Sequence, residues 1–376
     1  MRLLVTGGCG FIGSNFIRRR LAETDDNVVN LDALTYAGNQ ANLREFEGNA
    51  RYRFVHGRIE DPAKVKDTMS GVEAVVHFAA ESHVDRSIDD AAPFISTNVL
   101  GTQVMLEAAR KAGVKRFVHV STDEVYGALG EEGKFTETTP LQPRSPYAAS
   151  KAAGDLLAQA YWETYHLPVM VVRPSNNYGP YQFPEKLIPV MVTNLVEGRK
   201  VPVYGRGENV RDWLYVEDCC RGIGIVLDRG QPGEAYNIGG ESERHNIDVV
   251  RLVISLMGLD SGVPRSSSVV PGPPSSVSAS TLTSTSTSSD PWLEFVPDRP
   301  GHDFRYALDN AKIQRELGWR PETRFEDGLS RTVGWYRENP EWWRPLKERL
   351  SRESKGFWTS SSPTKDQGLG TKDSPR

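Results

Sequence analysis

A hydroxyl followed by two carboxyl groups, Thr122-Asp123-Glu124, stands just past the apolar run from Arg116 to Ser121. In an open α/β sheet, ligands bind outside the carboxyl ends of the strands, so this stretch is a candidate for proton transfer. The alternative is a solvated turn, which also favours Thr and Asp. Farther on, Tyr147 and Lys151 are spaced i, i+4, which puts both on one face of an expected helix. A neighbouring ammonium favours phenolate, lowering a Tyr pKa from about 10 toward a range where it removes a proton from an alcohol. Such a pair is common; combined with Thr122 to hold the same hydroxyl and with a dinucleotide turn, it reads as a hydride-transfer site.

That turn is at the start of the chain. Gly7, Gly10 and Gly13 have the spacing G-x-x-G-x-x-G, between a strand pattern over Arg2 to Thr6 and a helical pattern reaching Leu21. Glycines here let the backbone turn tightly and approach a pyrophosphate, which faces the helix N-terminus; Phe11 and Ile12 belong to the same turn. Asp32 ends the second strand, roughly 20 residues beyond the turn, where a carboxylate accepts from both adenosine ribose hydroxyls. It repels a 2′-phosphate, and Ala33-Leu34-Thr35 offers no Arg beside it, so NAD is expected rather than NADP. Ala79 and Ala80 end the fourth strand and are small enough for the cofactor to approach the backbone, although plain packing explains them nearly as well.

The elements that must position these groups follow a regular alternation. Further apolar runs lie at Asn27 to Leu31, Tyr52 to His56, Glu73 to Ala79 and Leu167 to Arg173, separated by helix-like segments such as Val99 to Ala112 and Tyr147 to Tyr165. This predicts an α/β fold: a Rossmann-like, doubly wound parallel sheet with a smaller C-terminal substrate-binding domain. Residues 1–174 are expected to form the cofactor domain, with its sheet completed by later segments, and residues 175–350 mainly the substrate domain. The stretch 261–291 is mostly Ser, Thr and Pro, so we expect a disordered insertion that cannot offset its ordering entropy. Residues 351–376 are expected to be a flexible tail.

With 376 residues, 38% hydrophobic and 25% charged, the chain is long enough for a large core. A net charge of -4, with basic residues scattered, provides no field for nucleic acid or an anionic membrane. No apolar run is long enough to span a bilayer, and the three cysteines, Cys9, Cys219 and Cys220, suit a reducing compartment, so a cytoplasmic protein is expected. His77 and His83 form no metal pattern with Cys or carboxylates, and no metal is expected.

At these residues the chain resembles the extended short-chain dehydrogenase/reductase family, specifically nucleotide-sugar 4,6-dehydratases of the dTDP-glucose type. The resemblance runs from Arg2 to about Tyr336 and is carried by the segments from Glu81 to Ile88, Ser121 to Gly127, Tyr147 to Lys151, Ser175 to Lys186, Asn209 to Trp213 and Asp298 to Asp303. It implies that Tyr147, with Lys151 and Thr122, takes the proton of a sugar C4 hydroxyl while NAD accepts the hydride. Glu124 then removes the C5 proton as Asp123 protonates the departing C6 hydroxyl. It implies a nucleotide-sugar pocket formed by Ser82, His83, Asn176, Lys186, Leu187, Pro202, Tyr204, Arg211, Asn246, Arg299 and His302, with the basic members on the diphosphate, and a homodimer through helices including Val99 to Ala112 and Tyr147 to Tyr165.

Two positions depart from the family pattern. Cys9 replaces an Ala, and Arg58 replaces an Asp expected to contact adenine, which leaves Ile59 as the apolar neighbour there. A nucleotide-sugar 4-epimerase or a glucuronate decarboxylase needs the C4 oxidation too, but not the adjacent acid and base that Asp123-Glu124 supplies. A silent dinucleotide-binding regulator has no use for Thr122, Tyr147 and Lys151 together. Thymidine is the expected base; spacing alone does not reject uridine, cytidine or guanosine.

Overall fold

In the strands of the central sheet, neighbouring residues of both parities are apolar, and the fold buries both faces. The computed structural model describes residues 1–259, 290–298 and 302–353. Seven strands form the sheet: β1 (Arg2–Thr6), β2 (Asn27–Asp32), β3 (Tyr52–His56), β4 (Ala74–His77), β5 (Arg116–Val120), β6 (Val169–Pro174) and β10 (Ala235–Ile238). Their order is β10-β6-β5-β4-β1-β2-β3, with every pairing parallel. The chain leaves β1 toward β2 and β3, then crosses to β4, so the order reverses beside β1. Ligand crevices form at such a reversal.

Leu3 and Val5 face one core with Phe16 and Ile17 of α1 (Phe11–Glu23), while Leu4 faces the other. That second core holds Val65 of α2 (Pro62–Thr68), Met105 and Leu106 of α5 (Thr102–Ala112), and Ala158 of α6 (Pro146–Tyr165). Short helices α3 (Val84–Asp89) and α4 (Ala92–Phe94) lead through a π-helical stretch, Ile95–Gly101, into α5.

Later segments also serve the sheet. β10 pairs with β6, and Ile223 of α8 (Val216–Arg229), Ile313 of α10 (Ala311–Leu317) and Trp319 lie in the same core as Leu3. The second lobe has its own core around Tyr178, Met191, Trp213 and Trp343. It comprises β7 (Asn176–Tyr178), β9 (Val210–Tyr215) and β11 (Glu243–His245) in one sheet, and β8 (Val201–Tyr204) with β12 (Leu293–Val296) in another. Helices α7 (Leu187–Val196), α9 (Asn246–Leu256), α11 (Phe325–Glu338) and α12 (Pro340–Glu353) cover them.

Most of the expected insertion, 260–289, lies outside the described residues, whereas Asp290 caps the turn into β12 by accepting from Trp292 N at 2.9 Å. The last helix runs through Glu353, three residues into the stretch expected as a tail. The remainder of that stretch lies outside the described residues. Among the described residues no helix is long and apolar enough to cross a membrane, and no cluster of His, Cys and acidic groups is fit to hold a metal.

Candidate active site

A cavity of about 320 Å³ opens along the carboxyl ends of β1, β2, β4, β5 and β6. All the residues expected to hold a cofactor line it: Gly7, Gly10, Phe11, Ile12, Gly13, Asp32, Ile59, Ala79, Ala80, Tyr147 and Lys151. Gly7 has φ +70°, and a Cβ there would lie 2.7 Å from Ala79 N; one at Gly13 would lie 2.4 Å from Gly7 O. The turn therefore tolerates no side chain, and Gly10 leaves the first N–H groups of α1 without a side-chain cap. Asp32 accepts from Cys9 N at 2.8 Å and from Leu34 N at 2.7 Å, one bond to each oxygen. Further lone pairs remain for ribose hydroxyls. Burial raises its carboxyl, with the two backbone bonds opposing. These features fit a dinucleotide. Arg58 lines the same cavity with its side chain 61% exposed and only a 3.4 Å contact to Glu60, so it is placed to meet a ligand rather than to brace the fold.

The reaction groups converge from two elements. Thr122 caps the 3₁₀ turn Asp123–Tyr126: its Oγ1 accepts from Glu124 N at 3.3 Å and donates to Asp123 Oδ1 at 3.2 Å. Gly127 ends the turn at φ +88°, where a Cβ would meet Gln142 O at 2.5 Å. On α6, Ser145 caps the first turn through Ala148 N, and Tyr147 N donates to Ser87 Oγ at 3.1 Å. Thr122, Asp123, Glu124, Tyr147 and Lys151 all line the cavity.

Asp123 is 2% exposed, and its Oδ2 has no hydrogen-bond partner among the described residues. Burial pushes its carboxyl well above the usual range, and the carboxylates of Glu124 and Asp212 add to the effect. The shift is in the direction that suits a proton donor. Tyr147 differs from expectation. Burial, then the Glu124 carboxylate, hold its phenol well above the usual value, against the Thr122 hydrogen bond. Lys151 is not among the larger influences on it, because Nζ donates to the Val120 carbonyl at 2.7 Å. Helical spacing places the two side chains on one face but does not say which atom the ammonium meets.

The expected substrate residues divide. Ser82, Asn176 and Lys186 line the cavity. Lys186 Nζ donates to Ser82 O at 3.0 Å, and Asn176 Oδ1 has no hydrogen-bond partner among the described residues. His83, Leu187, Pro202, Tyr204, Arg211, Asn246 and His302 are outside that lining. His83 is buried at the start of α3, with Nε2 3.9 Å from Glu185. Leu187 and Asn246 begin α7 and α9. Arg211 lies over the Tyr306 ring at 4.6 Å and donates to the carbonyls of Val210, Phe304 and Asp303. Pro202 and Tyr204 share β8, where the Tyr204 ring meets His302 edge-on at 6.1 Å. Arg299 lies outside the described residues.

Three supporting groups escaped the sequence reading. Asn98, in the π-helical stretch, donates to Ser150 Oγ at 2.8 Å and bonds the backbone of Glu81 in both directions, fixing the β4 loop to α6. π-helical turns often mark functional sites, but their signal lies in backbone geometry, not composition. Asp212, raised to about 6 by burial, accepts from Gly240 N and Ser242 N and acts on Asp123 from β9. Glu185 lines the cavity inside the quoted Ser175 to Lys186 segment and pairs with Arg86 at 3.3 Å.

A doubly wound sheet with a dinucleotide-fitting glycine turn, next to a Tyr, a Lys and two adjacent carboxyl groups, defines a nucleotide-cofactor enzyme built for moving protons beside a hydride acceptor. The chain belongs to the family described as GDP-mannose 4,6 dehydratase, whose model matches residues 4–332. It is 49% identical over 352 residues to a dTDP-glucose 4,6-dehydratase of Streptomyces niveus, covering 92% of this chain and 96% of that one. The Escherichia coli dTDP-glucose 4,6-dehydratase is 45% identical over 368 residues, 93% of this chain and 97% of its own. The dTDP-glucose 4,6-dehydratase DesIV of Streptomyces venezuelae, solved with NAD bound, superposes with a TM-score of 0.83 at 51% identity, covering 92% of this chain and all of that one.

Proposed function

We infer that this protein is a dTDP-glucose 4,6-dehydratase that uses NAD and forms a 4-keto-6-deoxy sugar. The observation that carries the reading is the buried Asp123 beside Glu124, its carboxyl raised by burial, inside the cavity that also holds Tyr147 and the glycine turn. Bound NAD supplies a hydride acceptor and later a hydride donor, so no net redox change results.

The side chains divide the proton work. Tyr147 takes the proton of the sugar C4 hydroxyl, which Thr122 orients. The resulting 4-ketone acidifies the C5 hydrogen. Glu124 removes the C5 proton while Asp123 gives its proton to the departing C6 hydroxyl, and water leaves across C5 and C6. A carboxyl raised well above the usual range by burial suits the acid role. Asn176 and Lys186 bind the nucleotide sugar from the second lobe, and Arg211, Tyr204 and His302 meet the nucleotide.

Incubating the purified protein with dTDP-glucose tests the reading. Dehydration yields a ketosugar with an alkali-induced absorbance; galactose formation without that absorbance would instead support a 4-epimerase. The matching reaction with uridine, cytidine and guanosine sugars tests the base.

We further infer a homodimer and a cytoplasmic location. Leu100 in the π-helical stretch and Leu156 on α6 are exposed at 52% and 57%, apolar side chains that a second copy would cover. Sedimentation should give a dimer that Leu156→Glu weakens; a monomeric wild type rejects it. Three buried free cysteines, the thiols of Cys9 and Cys219 pushed up to about 12 by burial, suit a reducing compartment.

A further inference from the structure

Helix α6 carries a third ionisable group in register with Tyr147 and Lys151. Asp155 follows Lys151 by one turn, so the three residues stand at i, i+4 and i+8 on one face, with exposures of 8%, 4% and 3%. We propose that Asp155 is a positioning residue for the reaction: its carboxylate is the fixed counter-charge that lets Lys151 stay an ammonium beneath Tyr147.

The hydrogen bond that fixes Lys151 is to the neutral carbonyl of Val120. A buried ammonium facing only neutral acceptors gives up its proton. Burial does pull Lys151 down, to about 8, and Asp155 is the group that opposes the fall. Asp155 is itself kept ionised. Burial would raise its carboxyl, but His119 and the Arg173 guanidinium hold it below the ordinary value. Arg173 Nε lies 2.8 Å from one carboxylate oxygen, and His119 Nε2 lies 3.5 Å from the other. Arg173 also donates to Tyr126 Oη at 2.7 Å, which anchors the guanidinium to the 3₁₀ turn bearing Asp123.

The other charged and titratable neighbours act as follows. His77 on β4 and His119 on β5 are held low by burial, so both imidazoles are neutral. Asp123 is raised by burial and by the Glu124 and Asp212 carboxylates. Glu124 acts on Tyr147 from the 3₁₀ turn, and Glu137 acts on Tyr126 from the loop before α6. Asp155 also acts on Tyr147 directly, holding its proton tighter. Removing the Asp155 charge therefore lowers Lys151 and Tyr147 together.

The inference rests on the dehydratase reading, and the two fail separately. Turnover of dTDP-glucose by the wild type tests the reading; the position of the pH profile tests Asp155. In Asp155→Asn the alkaline limb of kcat/KM should move to lower pH by about one unit, the size of effect a nearby charge produces. Asp155→Glu should restore it. A variant with reduced kcat or melting temperature and an unmoved profile would show a merely structural ion pair and overturn the proposal. Should the single variant fail to fold, Asp155→Asn/Arg173→Gln removes the pair without stranding the guanidinium. The double variant should shift the same way by a smaller amount, because the Arg173 charge it also removes opposes the Asp155 carboxylate; an unmoved profile there too would overturn the proposal.

Discussion

Burial raises the proton affinity of both Asp123 and Tyr147, with opposite consequences for the chemistry. A carboxyl that keeps its proton is ready to donate it; a phenol that keeps its proton must be helped to lose it. Asp123→Asn should leave C4 oxidation intact and slow dehydration by about 10²- to 10⁴-fold, the usual worth of a general acid. In single-turnover absorbance, reduced nicotinamide should then accumulate; elimination at the wild-type rate would reject the assignment. The help we propose for Tyr147, once substrate is bound, is a charged Lys151, which burial pulls down to about 8. The ammonium is present below that value and lost above it, so kcat/KM should fall as pH rises through about 8, approaching tenfold per unit. A profile flat to pH 10 would remove Lys151 from this role. Spacing put Tyr147 and Lys151 on one helical face because i, i+4 geometry is local, while the glycine turn and the family resemblance were needed to single them out along with the acidic pair. It did not reveal that Nζ meets Val120 O, nor Asp212 acting from β9, because those contacts depend on how distant segments pack.

Among the elements, the β1 turn and α12 hold the cofactor side from opposite ends of the chain. Gly7 was readable in advance, since a strand followed by spaced glycines has few other uses. Its substitution by Ala combines a left-handed φ with a 2.7 Å clash against Ala79 N. Gly7→Ala should cost more than about 1 kcal/mol in urea unfolding and abolish retention of NAD through gel filtration. Equal NAD content in variant and wild type would contradict this. By contrast, α12 was not anticipated: residues up to 350 were expected in the substrate domain with no helix assigned after Glu338. Yet Trp342 Nε1 donates to Asn42 Oδ1 at 2.8 Å, and Asn42 Nδ2 donates to Cys9 O at 3.0 Å, inside the glycine turn. Arg349 reaches the Tyr36 carbonyl beside the same cavity. Pro at the first turn suits a helix start, and the apolar Trp face finds its partners only in the tertiary fold. Trp342→Ala should therefore speed NAD release, read by displacement kinetics, with kcat at saturating NAD little changed; an unaltered release rate would confine α12 to packing.

For the whole molecule, the division between cofactor and substrate lobes does not coincide with the way the core is built. The alternating strands up to Arg173 made the sheet legible, while its seventh strand, Ala235–Ile238, is short and separated from the rest by lobe segments, so its partner was not. The face of Leu3, Val5, Phe16, Val118 and Met170 is closed by Ile223 and Val226 of α8, Ile238 of β10 and Trp319, all supplied from beyond residue 174. Arg116 of β5 donates to the carbonyls of Val226 and Gly230 at the end of α8, tying the sheet to that helix. Each fully buried aliphatic side chain is worth about 1.5–3 kcal/mol, and a domain's net stability is only about 5–15 kcal/mol, so uncovering this face removes more than the fold can lose. It would also leave β6 as an open, apolar edge. We therefore expect residues 1–174 alone to lack fixed tertiary structure and to aggregate, with weak near-UV circular dichroism. The full chain should unfold with a single cooperative urea transition. A fragment 1–174 that unfolds cooperatively would mean that the cofactor domain is an independent folding unit and that the later segments were added to a finished sheet.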